Sequence, residues 1–367
     1  MKVLFDGQIF LGQRVGGISR YIVELAAGMS HVEHVNAKVL APFHINSYLK
    51  KLPRHQVIGL QTYTRKNPIG WLTKHANPIL SRRIGARFKP DIAHETYYSP
   101  QPYILNARRR VTTMHDLFHE IYLSSHRTTD HKRLSLARCD HVLCDSESTR
   151  KDLCRIFDFP AERTTVVHLA SSDFGALAAA DAGARISELE RVPYFLHVGG
   201  RGGYKNFELT LKAFAGSKLL VKDFRLLCFG DKLFGRSELE AAQAVGVPAE
   251  KLCYMRGTDS SLARAYAGAT ALIYPSLYEG FGLPPLEAMS AGCPVLSTNA
   301  ASLPEVVGDA ALQFAPTDVE ALRDAMEQVA YSETLRQDLI QRGLRRWRLF
   351  SWERCVGETL AVYKALN

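Results

Sequence analysis

The sequence has no apolar run near the ~20 residues that a membrane-spanning helix requires, so no transmembrane segment is expected. The opening Met-Lys-Val-Leu-Phe reaches Asp6 too soon for the apolar region of a secretory signal, and none is expected. Cysteine is scarce: seven residues, odd in number and scattered, with no Cys-x-x-Cys pair. That argues against a disulfide framework and against a zinc site, and it fits a reduced, cytoplasmic protein. No Gly-x-Gly-x-x-Gly follows the first expected strand, so a Rossmann dehydrogenase is not supported. Despite a net charge of +9, the chain has no recognition helix, zinc spacing or aromatic-basic interleaving, and no nucleic-acid partner is expected.

What is present points to two domains. The 367 residues are 46% apolar, too many for one comfortable core. Residues 1–180 carry 25 Lys+Arg and 15 Asp+Glu, and the remainder is close to neutral. Twelve of the 13 histidines also lie in this basic half. The half is expected to meet something anionic, such as a membrane surface or a phosphorylated substrate.

The pattern alternates strand and helix. "KVLFDG" reads as a buried strand and turn, and "GGISRYIVELAAGMS" as a glycine turn feeding a helix with Ile18, Tyr21, Ile22 and Leu25 on one face. "PDIAHE", "RRVTTMHD", "DHVLCDS" and "TTVVHLA" read as further strands, and Ser146 as the cap of a helix. A second series runs from "YFLHVGG" to "CPVLST". Two doubly wound, Rossmann-like α/β domains are expected, facing each other across a cleft. The expected boundaries are 1–175, a small and polar linker at 176–191, a second domain at 192–350, and a final helix at 351–367.

The stretch "YPSLYEGFGLPPLEAMSAGCPVL", Tyr274 to Leu296, follows a buried strand and holds Glu279 and Glu287. Open α/β sheets place chemistry at the carboxyl ends of their strands. Gly280 and Gly282 let backbone approach a ligand closely. Pro284 and Pro285 suit a helix start, with the helix expected from about Pro285 to Ala291. Its free N–H groups would then form an anion site, and Glu287 would lie in its favourable first turn.

Glu-x7-Glu with Gly-Phe-Gly and paired prolines resembles the retaining glycosyltransferases of family 4, which have the GT-B fold. "GGISRY", "TMHDLFHE", "DSESTRKDL", "FLHVGGRGGYKNFELTLKAF", "ASLPEVVGDAALQFAP" and "FSWERCVGETLAVYKAL" are similar to the family's segments in the family's order, over nearly the whole chain. The likeness is greatest to the mannosyltransferase-like branch of bacterial surface-polysaccharide enzymes. It implies a nucleotide-sugar domain in the second half, an acceptor domain in the first, and a last helix that crosses back to the first. Trp352, Val356 and Tyr363 lie on that helix.

By the same resemblance, Glu279 contacts the donor sugar's hydroxyls, the backbone of Gly280, Phe281 and Gly282 lines the sugar, Leu283 lies near the phosphates, and Glu287 binds the ribose. Lys205 neutralises the departing diphosphate, helped by Arg201, which stands one residue later than in many members because Gly200 follows Val-Gly. His115 faces the donor sugar, and Gly16 and Gly17 put N–H groups near phosphate or acceptor. Arg256, Asp116, Ser146 and Glu305 are lesser candidates.

The implied reaction is hexose transfer with retention from a nucleotide-diphosphate sugar, GDP-mannose being favoured, to a glycan or lipid-linked glycan in polysaccharide or O-antigen synthesis. UDP-glucose, UDP-N-acetylglucosamine, GDP- or dTDP-deoxyhexoses, and a GT-B nucleotide-sugar epimerase are the alternatives. No Asp-x-Asp metal pair occurs, so neither a metal nor another cofactor is expected. Lys50–Lys51, Arg82–Arg83 and Arg108–Arg110 are candidate contacts for an anionic membrane surface, which would place the protein peripherally at the inner face of the membrane.

Overall fold

The computed structural model describes residues 1–62, 68–123, 126–180, 192–230 and 232–367. They divide into two units: Met1–Leu169 together with Trp352–Asn367, and Ala170–Ser351.

The first unit holds a seven-stranded parallel sheet. Its strands are β1 (Lys2–Phe5), β2 (Asn36–His44), β3 (Val57–Gln61), β4 (Ile92–Glu95), β5 (Arg109–Met114), β6 (His141–Cys144) and β7 (Thr164–Val166). Their order is β3-β2-β1-β4-β5-β6-β7. The order reverses between β1 and β4, the point where such sheets open a crevice. Residues on the central strands are nearly all enclosed; β1 reads as a short apolar run, while β4 encloses His94 and Glu95 beside Ile92 and Ala93. The helix Gly17–Met29 buries Tyr21, Ile22 and Leu25 as expected, while Ile18 stays partly exposed at its first turn.

The last helix, Trp352–Leu366, belongs to this first unit although it follows the second in sequence. It packs on Gly17–Met29 at Gly28, where a Cβ would stand 2.6 Å from Val356 Cγ2. Tyr363 is fully buried and its Oη lies 2.5 Å from His94 Nδ1 on β4. Burial drives the His94 imidazole down to about 3, so the ring is neutral and can pair with an uncharged phenol.

The second unit holds six parallel strands, β8 (Tyr194–Val198), β9 (Arg225–Phe229), β10 (Leu252–Met255), β11 (Ala271–Tyr274), β12 (Val295–Thr298) and β13 (Ala311–Phe314). Their order is β10-β9-β8-β11-β12-β13, with the reversal between β8 and β11. The helices Phe207–Ala215 and Val319–Tyr331 close one face over a core that includes Phe195, Phe214, Ile273 and Met326.

The division after Leu169 falls earlier than the expected boundary at 175. The expected linker starts inside a helix, Phe174–Ala180, which packs on the helix Asp259–Ala267. Phe174 is fully buried, edge-on to Tyr266 with ring centroids 5.6 Å apart. Its alanine-rich composition reads as small and featureless in sequence, but one aromatic anchor is enough to dock it. The rest of that linker, 181–191, lies outside the described residues.

Candidate active site

Two loops leave the second sheet at its reversal point. The first follows β8 and runs from Gly199 to the short turn Gly203–Lys205. Gly199 and Gly203 take φ of +105° and +59°, which L side chains rarely adopt. Gly200 and Gly202 have no such requirement, and among the described residues a Cβ on either would meet nothing within 4 Å. No packing among the described residues calls for glycine there. Glycine at these two positions instead keeps open space beside the backbone, as a closely approaching ligand needs.

The second loop follows β11. Gly282 takes φ +118° and a Cβ on it would strike Leu303 Cδ2 at 2.8 Å. Buried hydroxyls hold this loop by its carbonyls. Ser302 Oγ donates to Glu279 O and Phe281 O at 2.8 and 2.7 Å, and Thr298 Oγ1 donates to Ser276 O at 2.6 Å. Asn206 Nδ2 donates to Pro275 O at 3.1 Å, which fastens the two loops together. The Phe281 ring is buried edge-on to Phe350, so this residue offers its backbone and not its ring.

The loops bring Lys205 and Glu279 together. Lys205 Nζ donates to Glu279 Oε1 at 2.7 Å and to Tyr274 Oη at 3.2 Å. Burial works against the Lys205 ammonium, but Tyr274 and Glu279 outweigh it and hold the lysine charged well above its ordinary range. Burial and the Glu279 charge push the Tyr274 phenol far up, so it stays neutral. The cluster is a fixed cation beside a carboxylate at the carboxyl end of a parallel sheet.

The helix after the loop departs from the sequence expectation. It runs Leu283–Ser290, starting before Pro285. Pro284 and Pro285 therefore occupy its first turn and carry no N–H, so that turn offers an anion fewer donors than a helix entry normally does. Leu283 keeps its N–H. Glu287 lies beyond the first turn and gains little from the helix dipole, which fades within it. It is anchored instead by Tyr266 Oη, which donates to Glu287 Oε2 at 3.1 Å. Glu287 is buried at 8% exposure.

Arg201 does not join the Lys205 cluster. Its Nε and Nη2 donate to Glu238 at 2.8 and 3.1 Å, and Nη1 and Nη2 to the carbonyls of Lys232 and Leu233. Its guanidinium also lies 4.3 Å from the centre of the Phe234 ring. These contacts make it a clamp on the segment after β9. Arg256 is exposed just beyond β10, and Glu305 lies half-buried on the helix Leu303–Val307.

In the first unit, Gly16 caps the helix Gly17–Met29. Gln13 folds over this entry: its Oε1 accepts from Ser19 N at 3.1 Å, and a Cβ on Gly16 would strike it at 2.5 Å. Gly17 is exposed. His115 follows β5, and its Nδ1 lies 2.8 Å from Asp145 Oδ2 at the end of β6. The ring stands edge-on to Tyr21, centroids 5.4 Å apart. Asp116 is partly exposed and accepts from Phe118 N at 3.2 Å. Ser146 is a helix cap, its Oγ accepting from Thr149 N at 3.0 Å.

Two family models match the chain: "Glycosyl transferases group 1" over residues 184–346 and "Glycosyltransferase Family 4" over residues 15–170. The O-antigen chain mannosyltransferase B of Escherichia coli is 30% identical over 100% of both chains. The chain belongs to glycosyltransferase family 4. Solved structures agree on the GT-B fold of this glycosyltransferase. The sucrose-phosphate synthase of Thermosynechococcus elongatus has a TM-score of 0.77 at 20% identity, covering 100% of this chain and 98% of its own. The Anabaena protein HepE, solved in complex with UDP-glucose, has a TM-score of 0.68 at 16% identity, covering 99% and 100%.

In each unit of the glycosyltransferase, residues beside the candidate ones went unnoticed in sequence. Tyr274 and Asp145 each stand at the carboxyl end of a strand, beside a residue already singled out, and that placement was their available signal. Ser302 and Tyr266 act by hydrogen bonds to distant residues and had no local signal.

The arginine triplet expected at a membrane makes contacts within the protein, while Arg108 and Arg109 stay exposed. Arg108 Nη1 donates to Asn367 Oδ1, Arg109 Nε to Leu366 O, and Arg110 Nη1 to the buried Glu95. Arg82 is also engaged, with Pro102 O and Gln101. Lys50, Lys51 and Arg83 remain exposed. Among the described residues, no helix is long and apolar enough to cross a membrane.

Proposed function

We propose that this glycosyltransferase moves mannose from GDP-mannose, with retention and without a metal ion, to a glycan or lipid-linked glycan acceptor in O-antigen or related polysaccharide synthesis. The Lys205–Glu279 pair at the reversal point of the second sheet, beside glycines that leave open space, is the observation that carries the reading. Lys205 exchanges Glu279 for the diphosphate, and its charge gains value as that group departs. Glu279 holds the sugar's hydroxyls, Glu287 the ribose, and His115 contacts the transferred sugar. The acceptor oxygen bonds to the anomeric carbon as the carbon–phosphate oxygen bond breaks. The acceptor's proton passes to the leaving phosphate on the same face, so no enzyme nucleophile is needed.

The choice of mannose draws support from the full-length Escherichia coli relative, whose name specifies that sugar. Exposed Lys50, Lys51, Arg83, Arg108 and Arg109 are the candidates for an anionic membrane surface, each worth about 1 kcal/mol there. The test is GDP release from GDP-mannose with and without a lipid-linked glycan, in buffer and in EDTA, with the product's anomeric configuration read by NMR. Acceptor-dependent release that survives EDTA and gives an α-linked product is expected. Complete loss in EDTA, or release indifferent to acceptor, would contradict the reading.

A further inference from the structure

The sheet of the first unit builds the His115–Asp145 pair into its frame. β5 and β6 are in parallel register with Met114 opposite Cys144, so His115 and Asp145 are the next residues out on neighbouring strands. Asp145 N also donates to Met114 O. Nδ1 and Oδ2 meet at 2.8 Å with the carboxylate almost wholly buried at 3% side-chain exposure. Tyr21 covers one side of the imidazole, and His115 N donates to Tyr98 Oη at 3.3 Å. The ring is thus fixed in place, with Nδ1 committed to the carboxylate.

A carboxylate in such a position accepts a hydrogen bond and selects the ring tautomer. We propose that Asp145 is a positioning residue that keeps the proton of His115 on Nδ1, so that Nε2 presents a lone pair to a hydroxyl of the transferred sugar. A histidine with its proton on Nε2 would offer that hydroxyl a donor in place of an acceptor. This inference rests on the placement of His115 at the donor sugar.

Burial raises the Asp145 carboxyl above its ordinary range, and the His115 ring opposes the shift by favouring the charged form. Asp145 Oδ1 is buried and has no hydrogen-bond partner among the described residues. The carboxylate therefore depends on His115 for its main hydrogen bond, and a polar residue of the same shape is the informative replacement.

The experiment combines Asp145→Asn, His115→Ala and their double variant with ¹⁵N-histidine NMR at a pH where the ring is neutral. The wild type is expected to show His115 with the proton on Nδ1, and Asp145→Asn to show it on Nε2. Turnover should fall about tenfold, as for one hydrogen bond lost with its partner still buried. In the His115→Ala background the same change should cost less than about twofold. A wild-type ring protonated on Nε2, or an undiminished Asp145→Asn effect without His115, would overturn the proposal. Normal turnover of His115→Ala would overturn the placement of His115 at the sugar and this inference with it. An impaired His115→Ala beside an unaffected Asp145→Asn would overturn the inference alone.

Discussion

Lys205→Ala is expected to lower kcat by about 10²–10³-fold, the usual cost of removing one group aimed at developing charge in a water-poor site. The lysine has three neighbours that hold its charge in place: Glu279 Oε1 at 2.7 Å, Tyr274 Oη at 3.2 Å, and the Tyr204 ring at 5.0 Å. Alanine removes the cation and leaves Glu279 without this counter-charge at 12% side-chain exposure. The variant should therefore also lose stability, by less than the about 3–5 kcal/mol of breaking a fully enclosed pair, because both partners touch solvent. Activity must be measured below the variant's own melting transition, checked by circular dichroism. Glu279→Gln relieves the unpaired charge, so the double variant should melt higher than Lys205→Ala while staying inactive. Near-normal turnover of a folded Lys205→Ala would remove the phosphate role.

Arg138→Ala is expected to unfold the first unit at a markedly lower temperature. Glu95 on β4 is 2% exposed, and Arg138 gives it a bidentate contact, Nε to Oε1 at 2.8 Å and Nη2 to Oε2 at 2.6 Å. Arg110 alone would remain, at 3.3 Å. Arg138 also donates to Ser99 O and Ser135 Oγ, each of which would lose a partner. Removing one side of a buried pair costs about 3–5 kcal/mol. For a unit of this size that is a fall of roughly 6–20 °C. Two units need not melt as one, so scanning calorimetry should show the first transition moving and the second unchanged. A shift under about 2 °C would mean that Arg110 compensates for the loss.

The fold was legible because the chain repeats one period. β1, β4, β5, β6 and β7, and the second series from β8 to β12, are short segments with buried apolar residues that lead into polar ones, and each was found. β2, β3 and β13 escaped; β3 is an edge strand with exposed Gly59 and Leu60, and β13 is the edge strand of the second sheet. At the candidate site, the motif residues Lys205, Glu279 and Gly282 stood out because glycine and charge are conspicuous beside buried strands. The helix start did not stand out, since paired prolines fit the first turn of a helix as well as the position before it. That shift of register moved Glu287 out of the first turn. Arg201 contacts Glu238, which is distant in sequence, and no local pattern reports that pairing.

The most direct test of the central account is the thermal stability of the second unit with GDP, UDP, dTDP and ADP, in wild type and Glu287→Ala. A nucleotide at 100 times its dissociation constant adds about 2.7 kcal/mol to the folded state. The account predicts that GDP raises the transition, that the other three do not, and that Glu287→Ala removes the GDP effect at the same concentration. No shift with any nucleotide would contradict a donor site built on Lys205, Glu279 and Glu287.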